Sequence, residues 1–152
     1  MVKDRSSSTQ EFELISHTAD MKMRAYGRTD KELFVHALRG MFLLTEPVFV
    51  DDADTQKDAC NHSKQHHDII ISAANQELLL VDFLSYALYL SDVHNEIYLD
   101  ARIHQLNETN IKASVCGIQI KRCTIEIKAV TYHDLSITYK NGRWQATMVF
   151  DI

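Results

Sequence analysis

The sequence predicts an α+β fold, in which a mostly antiparallel β-sheet packs against two main α-helices in a single domain. Segments that alternate apolar and polar residues lie towards both ends of the chain, and two stretches between them repeat apolar residues at helical spacing. An Asn141-Gly142 pair is the strongest signal for a two-residue β-hairpin. The length of 152 residues and the hydrophobic fraction of 45% suit one domain with a sizeable core.

The N-terminal region opens with a polar, Ser-rich stretch. We expect residues 1–10 to be a disordered tail and residues 11–152 to form the domain. Residues 12–15 are a short strand candidate. After a His-Thr-Ala-Asp stretch at 17–20, residues 21–26 alternate between apolar and polar side chains, which predicts a strand with one buried face.

The first helix has a clear start signal. Thr29 and Glu32 have the spacing of a capping box, and apolar residues follow at helical spacing, so we expect a helix over 30–44. The stretch 51–67 is polar, mixed in charge and contains histidines. It predicts a long loop.

A strand and a second helix are expected next. Three consecutive isoleucines within 68–73 predict a buried strand. Asn75 can cap a helix over 76–90 that is apolar almost all round, so we expect this helix to be the most buried. Asp82 lies inside it and either bonds a neighbouring loop or lies on a narrow solvated stripe. Both interpretations are structural, and we favour them over a functional one.

The C-terminal third reads as strands joined by turns. Apolar and polar residues alternate over 97–103, 111–115 and 125–129, with a turn at 107–110. A two-residue hairpin loop near the end then sets the register of the last two strands.

That register brings the chain end close to an earlier segment. Counting back from the hairpin turn, Tyr132 faces Asp151 and His133 faces Phe150. Ile152 adds its α-carboxylate one residue beyond Asp151, and hard cations prefer such oxygen groups. From the pattern alone, however, Asp151 is better explained as a solvated strand end.

Composition excludes several functional classes. The formal net charge of -5 disfavours a protein that coats RNA, because phosphate binding depends on clusters of Lys and Arg. No signal peptide is visible, and the longest apolar run, near residues 78–81, is too short to span a bilayer, so no membrane association is expected. Motifs of known hydrolases, nucleotide-binding loops and zinc proteases are absent, so no catalytic residue is assigned.

Cysteine usage indicates a reducing compartment. The chain has three cysteines and no C-x-x-C, which disfavours a disulfide scaffold and favours the cytoplasm, or the nucleus in a eukaryote. Four residues of the polar stretch could imitate a zinc cluster, namely Cys60, His62, His66 and His67. Their spacing is not a standard one, so we favour a solvated loop.

Four stretches, taken together and in order, resemble the archease family. They are His17-Thr18-Ala19-Asp20, Leu79-Leu80-Val81-Asp82-Phe83-Leu84, Lys128-Ala129-Val130-Thr131-Tyr132-His133 and the terminal Val149-Phe150-Asp151-Ile152. The resemblance covers about residues 11–152. This chain departs from familiar members of the family mainly in two segments, 51–67 and 117–124.

The resemblance implies a fold, a metal site and a partner. An archease-type α+β domain would hold a divalent metal, Ca²⁺ with Mn²⁺ or Mg²⁺ as alternatives, at the positions of Asp20, Asp151 and Ile152. The protein would be a non-catalytic activator of an RtcB-type RNA ligase, promoting ligase guanylylation and multiple turnover in tRNA splicing and RNA repair. RNA would be contacted only through the ligase.

Three further residues are candidates for functional support. Lys128 either reaches the nucleotide site of the ligase or is an ordinary lysine paired with Glu126, and we hold the two interpretations equal. His133 and His17 are first expected to be structural, with His133 partly buried and hydrogen-bonded. Asp20 could be a turn residue that bonds local backbone. The resemblance favours the metal role for it.

Two other functions stay open. A small metal-dependent phosphoester hydrolase could use the same carboxylates, since a bound metal can activate water. A direct tRNA-binding protein is the other alternative, against which the acidic balance counts.

Overall fold

The computed structural model describes residues 10–17, 19–50 and 65–152, without the side chains of Ser16 and His17. In chain order the elements are β1 (Phe12–His17), β2 (Met21–Gly27), α1 (Asp30–Leu43), β3 (Pro47–Phe49), β4 (His66–Ser72), α2 (Gln76–His94), β5 (Glu96–Leu106), β6 (Asn110–Cys123), β7 (Ala129–Lys140) and β8 (Arg143–Asp151). Two helices and mainly antiparallel strands confirm the predicted α+β class.

Two predicted segments fall largely outside the described residues. Of the expected tail, the structure describes Gln10 alone, and residues 51–64 of the expected loop are not described, which leaves Cys60 and His62 outside. The loop prediction is wrong for His66 and His67, because both belong to β4 and pair with β6.

The first sheet places the C-terminal strand in its interior. Its strand order is β1-β2-β8-β7, so β8 pairs with β2 on one side and β7 on the other. One face of the sheet carries the buried side chains of β2 and β8, as the alternation predicted. These are Met21, Met23, Ala25, Ala146, Met148 and Phe150.

The second sheet is organised around the long strand β6. Strand β5 pairs along one edge of β6, while β4 and β3 pair with successive parts of it. The alternation predicted over 111–115 is confirmed, since Ile111, Ala113 and Val115 are all buried. The strand predicted over 125–129 is wrong, because β7 begins only at Ala129, although Ile127 is buried between the exposed Glu126 and Lys128. The preceding backbone instead contacts the end of α1, where Ile125 donates to the carbonyl of Thr45 at 2.9 Å.

Helix α1 begins at the predicted cap and joins the two sheets. The Thr29 hydroxyl accepts a hydrogen bond from the Glu32 backbone N–H at 3.0 Å, and the Glu32 carboxylate accepts one from the Arg28 N–H at 2.8 Å. Leu33, Phe34 and other apolar residues of the helix are buried between β2 and β5.

Removing the cap gives a first stability test. Thr29→Ala should lower the free energy of unfolding by about 1 kcal/mol, because the Glu32 N–H loses its acceptor. Chemical denaturation followed by circular dichroism measures the change. The control is Thr124→Ala, at an exposed position between β6 and β7. Equal stability of the two variants would show that the cap contributes nothing.

Helix α2 is longer and less buried than predicted. It ends at Asn95, whose left-handed backbone (φ 57°) stops the helix, and not near residue 90. Leu80, Phe83 and neighbouring residues are buried, but one side faces solvent. On that side Tyr86, Tyr89 and Val93 are 38%, 58% and 56% exposed. The expectation of an all-round buried helix is therefore wrong.

The final hairpin keeps the predicted register only near its turn. Tyr139 pairs with Trp144 as predicted, and the neighbouring pairs follow the same count. A register shift between residues 131 and 136 then moves the pairing, so that Ala129 and not Tyr132 lies opposite Asp151. The shifted segment is a β-bulge in which Asp134 adopts a left-handed backbone with φ 54°.

A buried polar cluster lies where β4, β5 and β6 meet. The Glu96 side chain is 6% exposed, and its Oε1 is 2.9 Å from His67 Nε2 and 3.0 Å from the Tyr98 hydroxyl that donates to it. A Cβ at Gly117 would come within 2.5 Å of that same oxygen, so only glycine leaves room for the carboxylate. Burial, and then the nearby Glu96, raise the pKa of Tyr98, which keeps this phenol protonated.

The cysteines depart from expectation at one position. Cys116 is buried and disulfide-bonded, whereas Cys123 is free. The argument from an odd cysteine count did not anticipate this bond.

In the part of the chain that the structure describes, no helix combines the length and the hydropathy required to cross a membrane.

Candidate metal centre at the chain end

Strand register brings the two predicted aspartates to the same end of the first sheet. Met21 pairs with Phe150, and both side chains are buried. The next residue outwards on each strand, Asp20 before Met21 and Asp151 after Phe150, therefore projects to the opposite face. Asp151 is exposed and Asp20 half-exposed. Strand register therefore places the two residues at the same end of the first sheet.

The last residue is held on both sides. The backbone N–H of Lys128 donates to the carbonyl oxygen of Asp151 at 2.7 Å. The side chain of Ile152 is half-buried against the hydrophobic core. Together these contacts hold the backbone and the last side chain of the chain end against the rest of the domain.

Negative charge at this end is not neutralised by neighbouring side chains. Among the described residues, neither Asp20 nor Asp151 has a hydrogen bond or an ion pair to its carboxylate. Lys22 lies two residues from Asp20 on the same face, but its ammonium group is engaged with Asp134 at 3.4 Å. Carboxylates grouped in this way repel one another and attract a cation.

The predicted donor set consists of oxygen atoms only. Among the described residues, no three His, Cys, Asp or Glu side chains converge as a metal site. Asp20, Asp151 and the α-carboxylate of Ile152 stay the ligands that the resemblance predicts. Oxygen donors alone are what Ca²⁺, Mg²⁺ and Mn²⁺ prefer, with water filling the remaining positions.

The structure bears differently on His17, Lys128 and His133, the three candidates for functional support. The side chain of His17 lies outside the described residues, although its backbone pairs with Met21. Lys128 is exposed just before β7, and its predicted ion pair with Glu126 is not formed among the described contacts. The prediction for His133 is wrong: its side chain is 73% exposed, because the register shift places Val130 opposite Phe150.

The bulge in β7 adds residues that the sequence did not single out. Lys22 on β2 reaches across β8 to Asp134, and His133 Nε2 lies 3.5 Å from the same carboxylate. The Thr131 hydroxyl donates to the carbonyl of Val149 at 3.0 Å and accepts from the His133 N–H at 3.3 Å. The bulge is thus anchored onto the solvent-facing side of the sheet that carries Asp20 and Asp151.

A groove runs from this end along α2. It has a volume of about 770 Å³ and lies between the second half of α2, the end of β6 and residues 125–130. Lys128 and Glu126 line it on one side, and Tyr89 and Asp92 on the other. The groove therefore connects the neighbourhood of the chain end with the solvent-facing side of α2.

Comparison with known proteins places this architecture in a family. The profile of the Archease protein family (MTH1598/TM1083) matches residues 12–152. The chain belongs to the archease family. This confirms the resemblance carried by the four sequence stretches.

Archeases with similar sequences span the whole chain. The archease of Methanosarcina barkeri is 34% identical over 155 residues, which cover 97% of this chain and 99% of that protein. The archease of Thermococcus gammatolerans is 30% identical over 149 residues, with 93% and 98% covered. The alignment thus includes both ends of the first sheet, from which the aspartates come.

Solved archease structures share the fold. The solution structure of Methanobacterium thermoautotrophicum protein 1598 has a TM-score of 0.66 at 25% identity, covering 93% of this chain and 98% of that one. The Thermotoga maritima archease, described as a possible chaperone, has a TM-score of 0.60 at 20% identity, with 92% and 96% covered. The second likeness supports the fold alone.

Proposed function

We propose that this archease is a non-catalytic activator of an RtcB-type RNA ligase, acting in the cytoplasm or the nucleus. It promotes guanylylation and multiple turnover of the ligase in tRNA splicing and RNA repair. The observation that carries the proposal is the strand register that brings Asp20 and Asp151, neither with an ion pair among the described residues, to the same end of the first sheet. Among the side chains that the structure describes at this end, none has the arrangement of a nucleophile with its base.

The metal ligands in this proposal are those that the family resemblance predicts. Asp20, Asp151 and the α-carboxylate of Ile152 would hold one divalent cation, with Ca²⁺ favoured and Mn²⁺ or Mg²⁺ as alternatives. When bound, the cation supplies positive charge that phosphate oxygens can share. The residues themselves present an anionic tip, which electrostatics would draw towards the cationic, nucleotide-binding cleft of a ligase.

Lys128 is suited to a supporting role at this tip. Its backbone N–H anchors Asp151, while its ammonium group is exposed and has no ion pair among the described residues. It can therefore balance the carboxylates or reach a phosphate of the ligase-bound nucleotide. The partner in this proposal remains the ligase, and RNA is reached only through it.

The deciding experiment measures guanylylation of a purified RtcB-type ligase with GTP and Mn²⁺. Wild-type protein should raise the labelling rate, and Asp20→Asn should lose at least about tenfold of that effect, because one of three anionic groups is removed. Circular dichroism should show that the fold persists. Glu108→Gln, an exposed charge change in the turn between β5 and β6, is the matched control.

Other outcomes of these assays would contradict the proposal. Full activation by Asp20→Asn would show that activation does not depend on the proposed metal site. Phosphoester hydrolysis by the protein alone would favour the hydrolase hypothesis, and salt-dependent binding of bare tRNA would favour the tRNA-binding hypothesis.

A further inference from the structure

Three large aromatic or aliphatic side chains are exposed on the solvent-facing side of α2. Tyr86, Tyr89 and Val93 are spaced three and four residues apart, so they lie on one face of the helix. Their exposed fractions are 38%, 58% and 56%, and the two tyrosine rings lie 5.6 Å apart. Clustered exposed aromatic and aliphatic side chains are typical of a protein contact surface.

Asp82 occupies the start of the same face, one turn before Tyr86. It is half-buried, and its carboxylate has no hydrogen bond or ion pair among the described residues. An open depression lies beside it, bounded by Tyr86 and Tyr89 on the helix and by Ile71 and Ser72 on β4. A carboxylate partly removed from water beside tyrosines is costly without a cation, so this position favours a positively charged occupant.

The charged side chains that α2 itself contributes to this face are carboxylates, while Lys128 lies across the groove from Tyr89 and Asp92. Helix α2 contains no Lys or Arg, and Asp92 adds a second carboxylate further along its exposed side. His94 lies in the last turn. On β4, Ile70 is 70% exposed and also lines the depression, and its register partner on β6 is Lys112. An arginine bonded to Asp82 could stack on a tyrosine ring, which is a favourable arrangement for a guanidinium group.

We propose that Asp82, Tyr86, Tyr89 and Val93 form a docking face for a segment of the ligase that carries an arginine or lysine beside apolar residues. This inference rests on the proposed function and adds a second contact surface to the acidic chain end. A ligase that binds RNA phosphates carries basic surface, which complements this face. A second copy of the chain fits less well, because a symmetric contact would bring Asp82 of each copy together.

Two separate surfaces have separable kinetic effects. Docking through α2 determines the archease concentration that gives half-maximal activation, whereas the chain end determines the guanylylation rate once the complex has formed. Variants of the docking face should therefore raise the concentration for half-maximal activation and leave the rate at saturation unchanged. Variants of Asp20 or Asp151 should lower the saturating rate.

The test combines calorimetric binding with guanylylation titrations on the same ligase. Tyr89→Ala and Asp82→Asn should each weaken binding by about tenfold, as expected for the loss of an anchoring contact. Binding of Asp82→Asn should also depend less on salt concentration than that of the wild type. The controls are Tyr139→Ala, whose tyrosine is equally exposed at 58%, and Asp30→Asn, a half-buried aspartate on α1.

Each outcome decides one of the two proposals. Binding that Tyr89→Ala weakens, without any stimulation by the wild type, would retain the docking face and overturn the activator function. No binding of the wild type, or identical affinity for the wild type and both docking variants, would overturn the docking face. A wild-type dimer in analytical ultracentrifugation that Tyr89→Ala dissociates, with ligase affinity unchanged, would assign the face to a second copy.

Discussion

Gly27→Ala is expected to destabilise the protein by about 3 kcal/mol or more, at the upper end of what overpacking costs, because the clash is with rigid backbone. A Cβ at Gly27 would lie 2.4 Å from the backbone nitrogen of Leu33 and 2.9 Å from the carbonyl carbon of Glu32. Both atoms belong to helical backbone and cannot rotate away. Relief would require β2 and α1 to separate. Denaturant unfolding of the purified variant measures the loss.

The control for this prediction is a glycine with free space. At Gly142 an added Cβ meets nothing within 4 Å, and only the left-handed backbone (φ 77°) opposes the change. Gly142→Ala should therefore cost only about 1 kcal/mol. If Gly27→Ala proved as stable as Gly142→Ala, the close approach of β2 to α1 would not be a packing constraint.

Moving the α-carboxylate away from Asp151 should abolish activation of the ligase. Appending two glycines after Ile152 leaves every side chain in place but replaces the terminal carboxylate with a peptide carbonyl. Affinity for a divalent cation should fall by at least about tenfold, because one anionic ligand is lost. Isothermal calorimetry with Ca²⁺ and Mn²⁺ measures the affinity, and the guanylylation assay measures the activation.

A dipeptide added before Met1 is the matched control for this extension. It changes the length of the chain equally and should alter neither metal affinity nor ligase activation. Unchanged metal affinity in the C-terminal extension would show that the α-carboxylate is not a ligand. The side-chain carboxylates of Asp20 and Asp151 would then have to suffice, together with water.

Local signals predicted most of the fold correctly. The capping box at Thr29 specifies the start of α1 within one helical turn. Strand β2 was predicted because the alternation of apolar and polar residues that marks its buried face can be read from consecutive residues. The end of α2 was missed because Asn95 terminates the helix through a left-handed backbone after polar residues that are compatible with a helix. The solvated stripe considered for Asp82 is confirmed, since Tyr86 and Tyr89 on the same side of α2 are 38% and 58% exposed.

The register shift in β7 shows what local counting cannot predict. Residues 132–135 contain no glycine or proline that would mark a bulge, and Asp134 adopts the left-handed conformation without such a signal. The bulge is anchored by Lys22, more than a hundred residues away in the chain. The predicted register of β7 against β8 is therefore wrong by three residues at this point, which is why His133 was expected to face Phe150.

The candidate site was only half predictable from local pattern. The hairpin register predicted that Asp151 lies close to residues 128–133. Despite the register shift this is correct, because the Lys128 N–H donates a hydrogen bond to the Asp151 carbonyl. Asp20 joins them only through the pairing of β2 with β8, which links the two ends of the sequence. No local rule predicts such a long-range pair, so Asp20 entered through the family resemblance.

The interior position of β8 also has a consequence for how the molecule assembles. Because β2 and β7 are both paired to β8, the first sheet has no continuous hydrogen-bonding path until residues 143–151 are inserted between them. Contacts between β2 and β8 span most of the chain, and contacts of such high sequence separation form late and slowly. The end of the sheet that carries Asp20 and Asp151 is therefore among the last features to form, and a partly folded archease would lack the proposed cation site.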